Sequence, residues 1–223
     1  MKNILQLFTS ESRKTNVTVM SVLLTLFMIV LYIVRTLYTN DTYYGFLLWN
    51  LFLAWLPFIF AYWAYRNYFL GGHMISILLP ALFWLLFFPN APYIITDIVH
   101  MRTRSGIPIW FDATMVFCFA FTGFILGLSS LYMIHRMLHH AFASWKSWLM
   151  IMLLIAMSGY GIYIGRILRW NSWDIFTSPI PLLHDVHDTI LTPSSLAMIA
   201  MFSILMGITY PFLFYFVKPT HKK

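Results

Sequence analysis

"FDATMVFCFAFTGFILGLSSLYMI", residues 111–134, holds a single charged side chain, Asp112, in 24 positions. An uninterrupted apolar stretch of that length is read as a membrane-crossing helix, since about 20 residues at 1.5 Å each span the hydrocarbon core. The rest of the chain has the same character. Of its 223 residues 61% are hydrophobic, 19% aromatic and 9% charged, whereas a water-solvated domain carries roughly 25% charged residues. Lipid is the solvent that this composition fits.

Six spans are expected, near residues 17–37, 45–65, 72–88, 111–134, 148–168 and 196–217. All are helical, because in hydrocarbon an open strand leaves its backbone unsatisfied. The expectation is an all-α polytopic bundle forming one integral membrane domain over residues 1–223. A short interfacial or re-entrant helix is expected in the long outer loop. No small-residue cleavage site follows the first apolar run, so it is read as an uncleaved span. Cys118 is the only cysteine, which excludes an intramolecular disulfide and a paired-cysteine metal or redox motif.

The net charge of +7 reflects topology, with no basic run interleaved with aromatics to suggest nucleic acid. With the N-terminus inside, nine of the fourteen basic residues face the cytoplasm and six of the seven acidic residues face out. That asymmetry predicts cytoplasmic termini. Tyr43, Tyr44, Trp110, Trp170 and Trp173 cluster at the expected outer ends, where amphipathic rings prefer the headgroup level.

Two outer segments carry the chemistry. The first is "PNAPYIITDIVHMRTRSGIPIW", residues 89–110. Asn90 can cap a short helix with Pro92 in its first turn. If Tyr93–Arg104 is helical, Tyr93, Asp97, His100 and Arg104 share a face. Asp97 and His100 could orient one another or share a metal, or be the polar face of an interfacial helix.

The second segment includes "GRILRWNSWDIF", residues 165–176. Arg166 and Arg169 share a helix face. They can snorkel to the interface, pair with Asp97, Asp112 or Asp174, or fork onto phosphate or carboxylate oxygens. Asn171 and Asp174 have capping-box spacing, and Thr192-Pro193 reads as the cap and first turn of the last span. "HDVHD", residues 184–188, offers either metal ligands or a solvated polar run. Asp112 suits a helix N-terminus, or could join Asp97 and His100 beside the arginines. No cofactor motif is evident, and a divalent cation at that Asp/His/Asp set is the one option the pattern admits.

Spans four and five carry Gly123/Gly127 and Gly161/Gly165. Small residues at this spacing let helices approach closely, so the two spans are expected to pack on each other. The same faces could alternatively recruit a second copy or another membrane protein. His135, Arg136, His139 and His140 follow the fourth span as inner loop charge.

Together "FFPNAPYIITDIVH", "WFDATMVFCFAFTGFILGLSSLYMIHR" and "GIYIGRILRWNSWDIFTSP" resemble the bacterial membrane proteins of domain of unknown function 1361, over roughly residues 70–180. The resemblance implies a multi-pass protein of a bacterial plasma membrane and brings no catalytic residues with it.

The leading functional expectation is recognition or modification of an anionic lipid or lipid-linked cell-envelope substrate. In that reading Arg166, Arg169, Asn171, Asp174, Asn90 and Tyr93 line the binding site, and Asp97, His100 and Asp112 supply acid–base or metal chemistry. The alternatives are a small-solute transporter and a non-catalytic assembly or regulatory partner. Span centres without obvious ionisable groups weigh against transport.

Overall fold

The computed structural model describes residues 2–102 and 107–217, with side chains for residues 18–102 and 107–215. Arg104 lies outside the described residues. The described chain is helical throughout, without strands: α1 (Lys2–Thr39), α2 (Gly45–Phe69), α3 (Met74–Phe87), α4 (Asn90–Tyr93), a 3-10 helix (Ile94–His100), α5 (Ile109–Ala141), α6 (Ser144–Tyr163), a π-helical turn (Ile164–Leu168), α7 (Asp174–Thr177), α8 (Pro179–Thr189) and α9 (Pro193–Val217). Six segments are long and apolar enough to cross a membrane: Thr18–Thr39, Gly45–Phe69, Met74–His100, Ile109–Ala141, Ser144–Leu168 and Pro193–Tyr215. The protein is therefore a multi-pass membrane protein.

The ends of the third and fourth spans differ most from expectation. The third span does not stop at residue 88 but continues through α4 and the 3-10 helix to His100. Ala91, Pro92, Ile94 and Asp97 are buried, so this segment is packed within the bundle. The fourth span does not end at residue 134 either, since α5 runs on to Ala141. His135 is thereby a fully buried helical residue. One ring nitrogen, Nδ1, meets the Tyr210 hydroxyl at 2.7 Å, and the imidazole stacks on Phe214.

α5 is the most buried of the six spans and touches α1, α2, α4, the 3-10 helix, α6 and α9. Lipid tails are as apolar as leucine, so close packing and internal hydrogen bonds must hold such a bundle together. Trp84 Nε1 donates to Ser130 Oγ at 3.0 Å, and that hydroxyl donates to the Gly127 carbonyl at 2.8 Å. Trp55 Nε1 donates to Thr25 Oγ1 at 3.0 Å. The side chains turned outward are large and apolar, among them Leu23, Phe27, Phe117, Leu153 and Ile204.

The small residues do not serve a direct α5–α6 seam, as the sequence suggested. They make room for the segment between those helices. A Cβ on Gly123 would lie 2.7 Å from Ile94 Cδ1 and 2.8 Å from the Ala91 carbonyl oxygen. A Cβ on Gly161 would lie 2.5 Å from Pro89 Cγ. Gly127 faces Ala91, and Gly165 faces the Tyr93 ring. The faces considered for a second copy or another partner are thus filled from within the chain. α6 packs chiefly on α9, Gly159 lying against Ile199.

This arrangement predicts that Gly123→Ala and Gly161→Ala each destabilise the protein by about 1–3 kcal/mol, as overpacking of a filled site does. Gly207→Ala, where nothing lies within 4 Å, should be neutral or slightly stabilising through helix propensity. Thermal unfolding midpoints of the three purified variants check the contrast. Equal midpoints would mean that the Pro89–Ile94 segment is not clamped.

Candidate functional site

The 3-10 helix and the π-helical turn build the site together. In a 3-10 helix residues three apart lie in line, which sets Asp97 and His100 on one edge. The π-helical turn widens the end of α6 and presents Arg166 to that edge. Beyond it, the Arg169 and Trp170 amides both return to the Ile164 carbonyl. Arg169 takes the left-handed conformation, φ 64°, which costs a side-chain-bearing residue roughly 1–2 kcal/mol.

Arg166 Nε donates to Thr96 Oγ1 at 2.6 Å, and the Thr96 hydroxyl donates in turn to the Tyr93 carbonyl at 2.7 Å. Its Nη1 meets His100 Nε2 at 2.8 Å, and its Nη2 donates to Asp97 Oδ1. The guanidinium carbon sits 4.4 Å from the centre of the Tyr93 ring, a cation–π distance. Asp97 Oδ2 accepts from Asn50 Nδ2 of α2 at 2.8 Å. The Asp97 side chain is 1% exposed and that of Arg166 14%.

Guanidinium cannot accept a hydrogen bond. In the contact with His100, the imidazole Nε2 is therefore the acceptor. Phe46 packs edge-on against that ring at 5.2 Å. Tyr43 donates its hydroxyl to the His100 carbonyl at 3.3 Å.

A second ion cluster lies beside the first, joined to it through Tyr43 and its neighbour Tyr44. Arg35, fully buried, donates from Nε to Asp112 Oδ1 at 3.1 Å and from Nη1 to the Asp41 carbonyl at 3.0 Å. Its guanidinium carbon is 4.5 Å from the centre of the Tyr44 ring. Burial, reinforced by the negative charge of Asp112, pushes the Tyr44 phenol above its ordinary range.

The structure thus brings Tyr93, Asp97, His100 and Arg166 together, and separates others from them. Asp112 does not join Asp97 and His100: it is taken by Arg35, because the end of α1 reaches the start of α5 first. The trio considered for a divalent cation is accordingly not one site. No group of three or more His, Cys, Asp or Glu is placed to hold a metal among the described residues.

Asn90 is not a cap, since α4 starts on it. Its amide instead donates to the Phe87 carbonyl at 3.1 Å and to Ser172 Oγ at 3.0 Å, tying α4 to the loop after α6. Asn171 and Asp174 bond to each other. Asp174 Oδ2 accepts the Asn171 amide at 2.6 Å, the return half of a capping box. That bond holds the Asp174 carboxyl below its ordinary range. Arg169 does not share the Arg166 contacts. It is exposed, and its side chain has no ion pair or hydrogen bond among the described residues.

His184 Nδ1 lies 3.1 Å from Asp188 Oδ2 on an exposed helix face, and Asp185 accepts from Trp170 Nε1 at 2.8 Å. Thr192 Oγ1 accepts the Ser195 amide at 3.4 Å, the expected start of α9.

Arg35, Asn50 and Thr96 were missed in the sequence. Arg35 carries the same signal as Arg166, an arginine ending an apolar run, but counts there only as loop charge. Asn50 is a lone amide among apolar residues. Nothing local marks Thr96.

Comparison with curated proteins and with solved structures finds no match. The family model described as "Protein of unknown function (DUF1361)" matches residues 49–209, a stretch that holds all of the Arg166 cluster. The chain belongs to the DUF1361 family.

Proposed function

We propose that this protein recognises an anionic headgroup, on a lipid or a lipid-linked cell-envelope precursor, at the end of the bundle that carries Arg166 and Arg169. The excess of Lys and Arg at the opposite side supports a reading in which that end is outside and both termini are cytoplasmic. The observation that carries the reading is Arg169. It is an exposed guanidinium without a described partner, held in a costly backbone conformation beside a braced arginine. Strained residues of this kind concentrate at ligand clamps, and guanidinium matches phosphate oxygens in pairs.

Within this reading Arg166 and Asp97 are positioning residues. Each of the three Arg166 nitrogens makes a contact, and both Asp97 oxygens accept. His100 offers a bound ligand a hydrogen bond from Nδ1. Asp112 has no acid–base part, being committed to Arg35.

The test uses the full chain in vesicles and measures retention of phosphatidylglycerol against phosphatidylcholine. Arg169→Ala is expected to weaken phosphatidylglycerol binding by about tenfold or more, since a hydrogen bond to a charged group contributes about 1.5–3 kcal/mol. The unfolding midpoint should not move, because alanine meets the same backbone strain and no contact is lost. Unchanged binding would sink the reading. Solute flux through the same vesicles would favour transport instead.

A further inference from the structure

α8 divides into three faces at helical spacing. Asp185, Val186 and Thr189 dock on α6 and the loop after it. Tyr160 donates to the Val186 carbonyl at 2.9 Å and lies 3.1 Å from Thr189 Oγ1, while Trp170 holds Asp185. His184 and Asp188, one turn apart and both exposed, meet at 3.1 Å on a polar face. The third stripe, Ile180, Leu183 and His187, continued by the capping Ile190 at 43% exposure, turns away from the protein.

That stripe is bare. Ile180 is 79% exposed and Leu183 65%, and Phe176 and Leu191 at either end of the helix are 70% and 78% exposed. Water would penalise it at about 25 cal/mol for each Å² of apolar surface left uncovered. Its position says what covers it. Tyr160 lies about two turns before Leu168, where the fifth span ends, and Trp170 just beyond it, so α8 docks across the end of that span. The chain then enters α9, whose Leu196 is among its outward apolar residues. The stripe therefore continues the lipid-facing surface of the spans.

We infer that α8 lies in the plane of the bilayer surface, with Ile180, Leu183 and Ile190 set into the boundary between headgroups and acyl chains, and His184 and Asp188 in water. Such helices bury their apolar face about 5–10 Å into that boundary. The sequence expected a short interfacial or re-entrant helix in the long outer loop; the segment after Asn90 is buried within the bundle, and α8 is the helix that keeps a bare apolar stripe. This inference does not rest on the headgroup reading of Arg169.

The experiment uses full-length protein in phosphatidylcholine–phosphatidylglycerol vesicles. With Cys118→Ala as background, a single fluorophore is attached at Leu183→Cys, Ile180→Cys or Asp188→Cys. Quenching by a nitroxide on the lipid acyl chain is compared with quenching by aqueous iodide. The labels at 180 and 183 should be quenched by the lipid nitroxide roughly threefold or more over the label at 188, and iodide should show the reverse order, as a helix in the interface plane requires. Equal access of iodide to all three positions would place α8 in water and overturn the inference. Protection of 180 and 183 from both quenchers would overturn it too, by showing a second copy or another protein on that stripe. All three positions are exposed, so labelling them removes no core contact.

Discussion

Arg35→Ala is expected to cost about 3–5 kcal/mol of stability, the range for removing one partner of a buried ion pair. The variant deletes a fully buried guanidinium and leaves the Asp112 carboxylate, only 4% exposed, without its cation. It also removes the bond to the Asp41 carbonyl that closes the turn between α1 and α2. Thermal or detergent unfolding of the purified protein, followed by tryptophan emission, reads the loss. Replacing both partners together, Arg35→Met with Asp112→Leu, should recover most of it, since well-packed apolar residues often match a buried pair in stability. A double variant no better than the single one would show that the contacts to Asp41 and Tyr44 matter more than the charge pair.

Asp97→Ala should bring a loss of similar size, about 3–5 kcal/mol, for the same reason. It strips Arg166 of its counter-charge and leaves the Asn50 amide without its acceptor. Arg166→Lys is the informative companion. Lysine keeps the charge but cannot fork to Thr96, His100 and Asp97 at once, so a loss of about 1.5–3 kcal/mol follows from the missing charged hydrogen bonds. Because these groups share one network, the Asp97 and Arg166 losses should be non-additive by about 0.5–3 kcal/mol. Unfolding midpoints of the singles and the double close that cycle. Full additivity would mean that the two side chains act independently, against the contacts seen here. Arg169→Ala supplies the separate functional readout, since it lies outside both networks.

The parts of the site that could be read in the sequence share one property: they are contacts between near neighbours along the chain. Tyr93, Asp97 and His100 were placed on one face by spacing alone, and Asn171 with Asp174 by the capping-box interval. Assignments across the bundle went differently. Asp97 was one of three carboxylates offered to the two arginines, and Arg166 meets it, while Asp112, another of the three, meets Arg35 instead. Glycine spacing showed that something approaches spans four and five closely. It could not show that the visitor is the Pro89–Ile94 segment, because the pattern records room and not its occupant.

Amino-acid order alone determined that this chain is a helical, multi-pass membrane protein, because hydrocarbon accepts only long apolar segments that satisfy their own backbone. The tertiary structure alone decided which carboxylate meets which arginine, that the third span folds on to His100, and that α8 keeps an uncovered apolar stripe. These depend on distances between residues far apart in the chain, set by which surfaces pack, and no periodicity within a single segment encodes them.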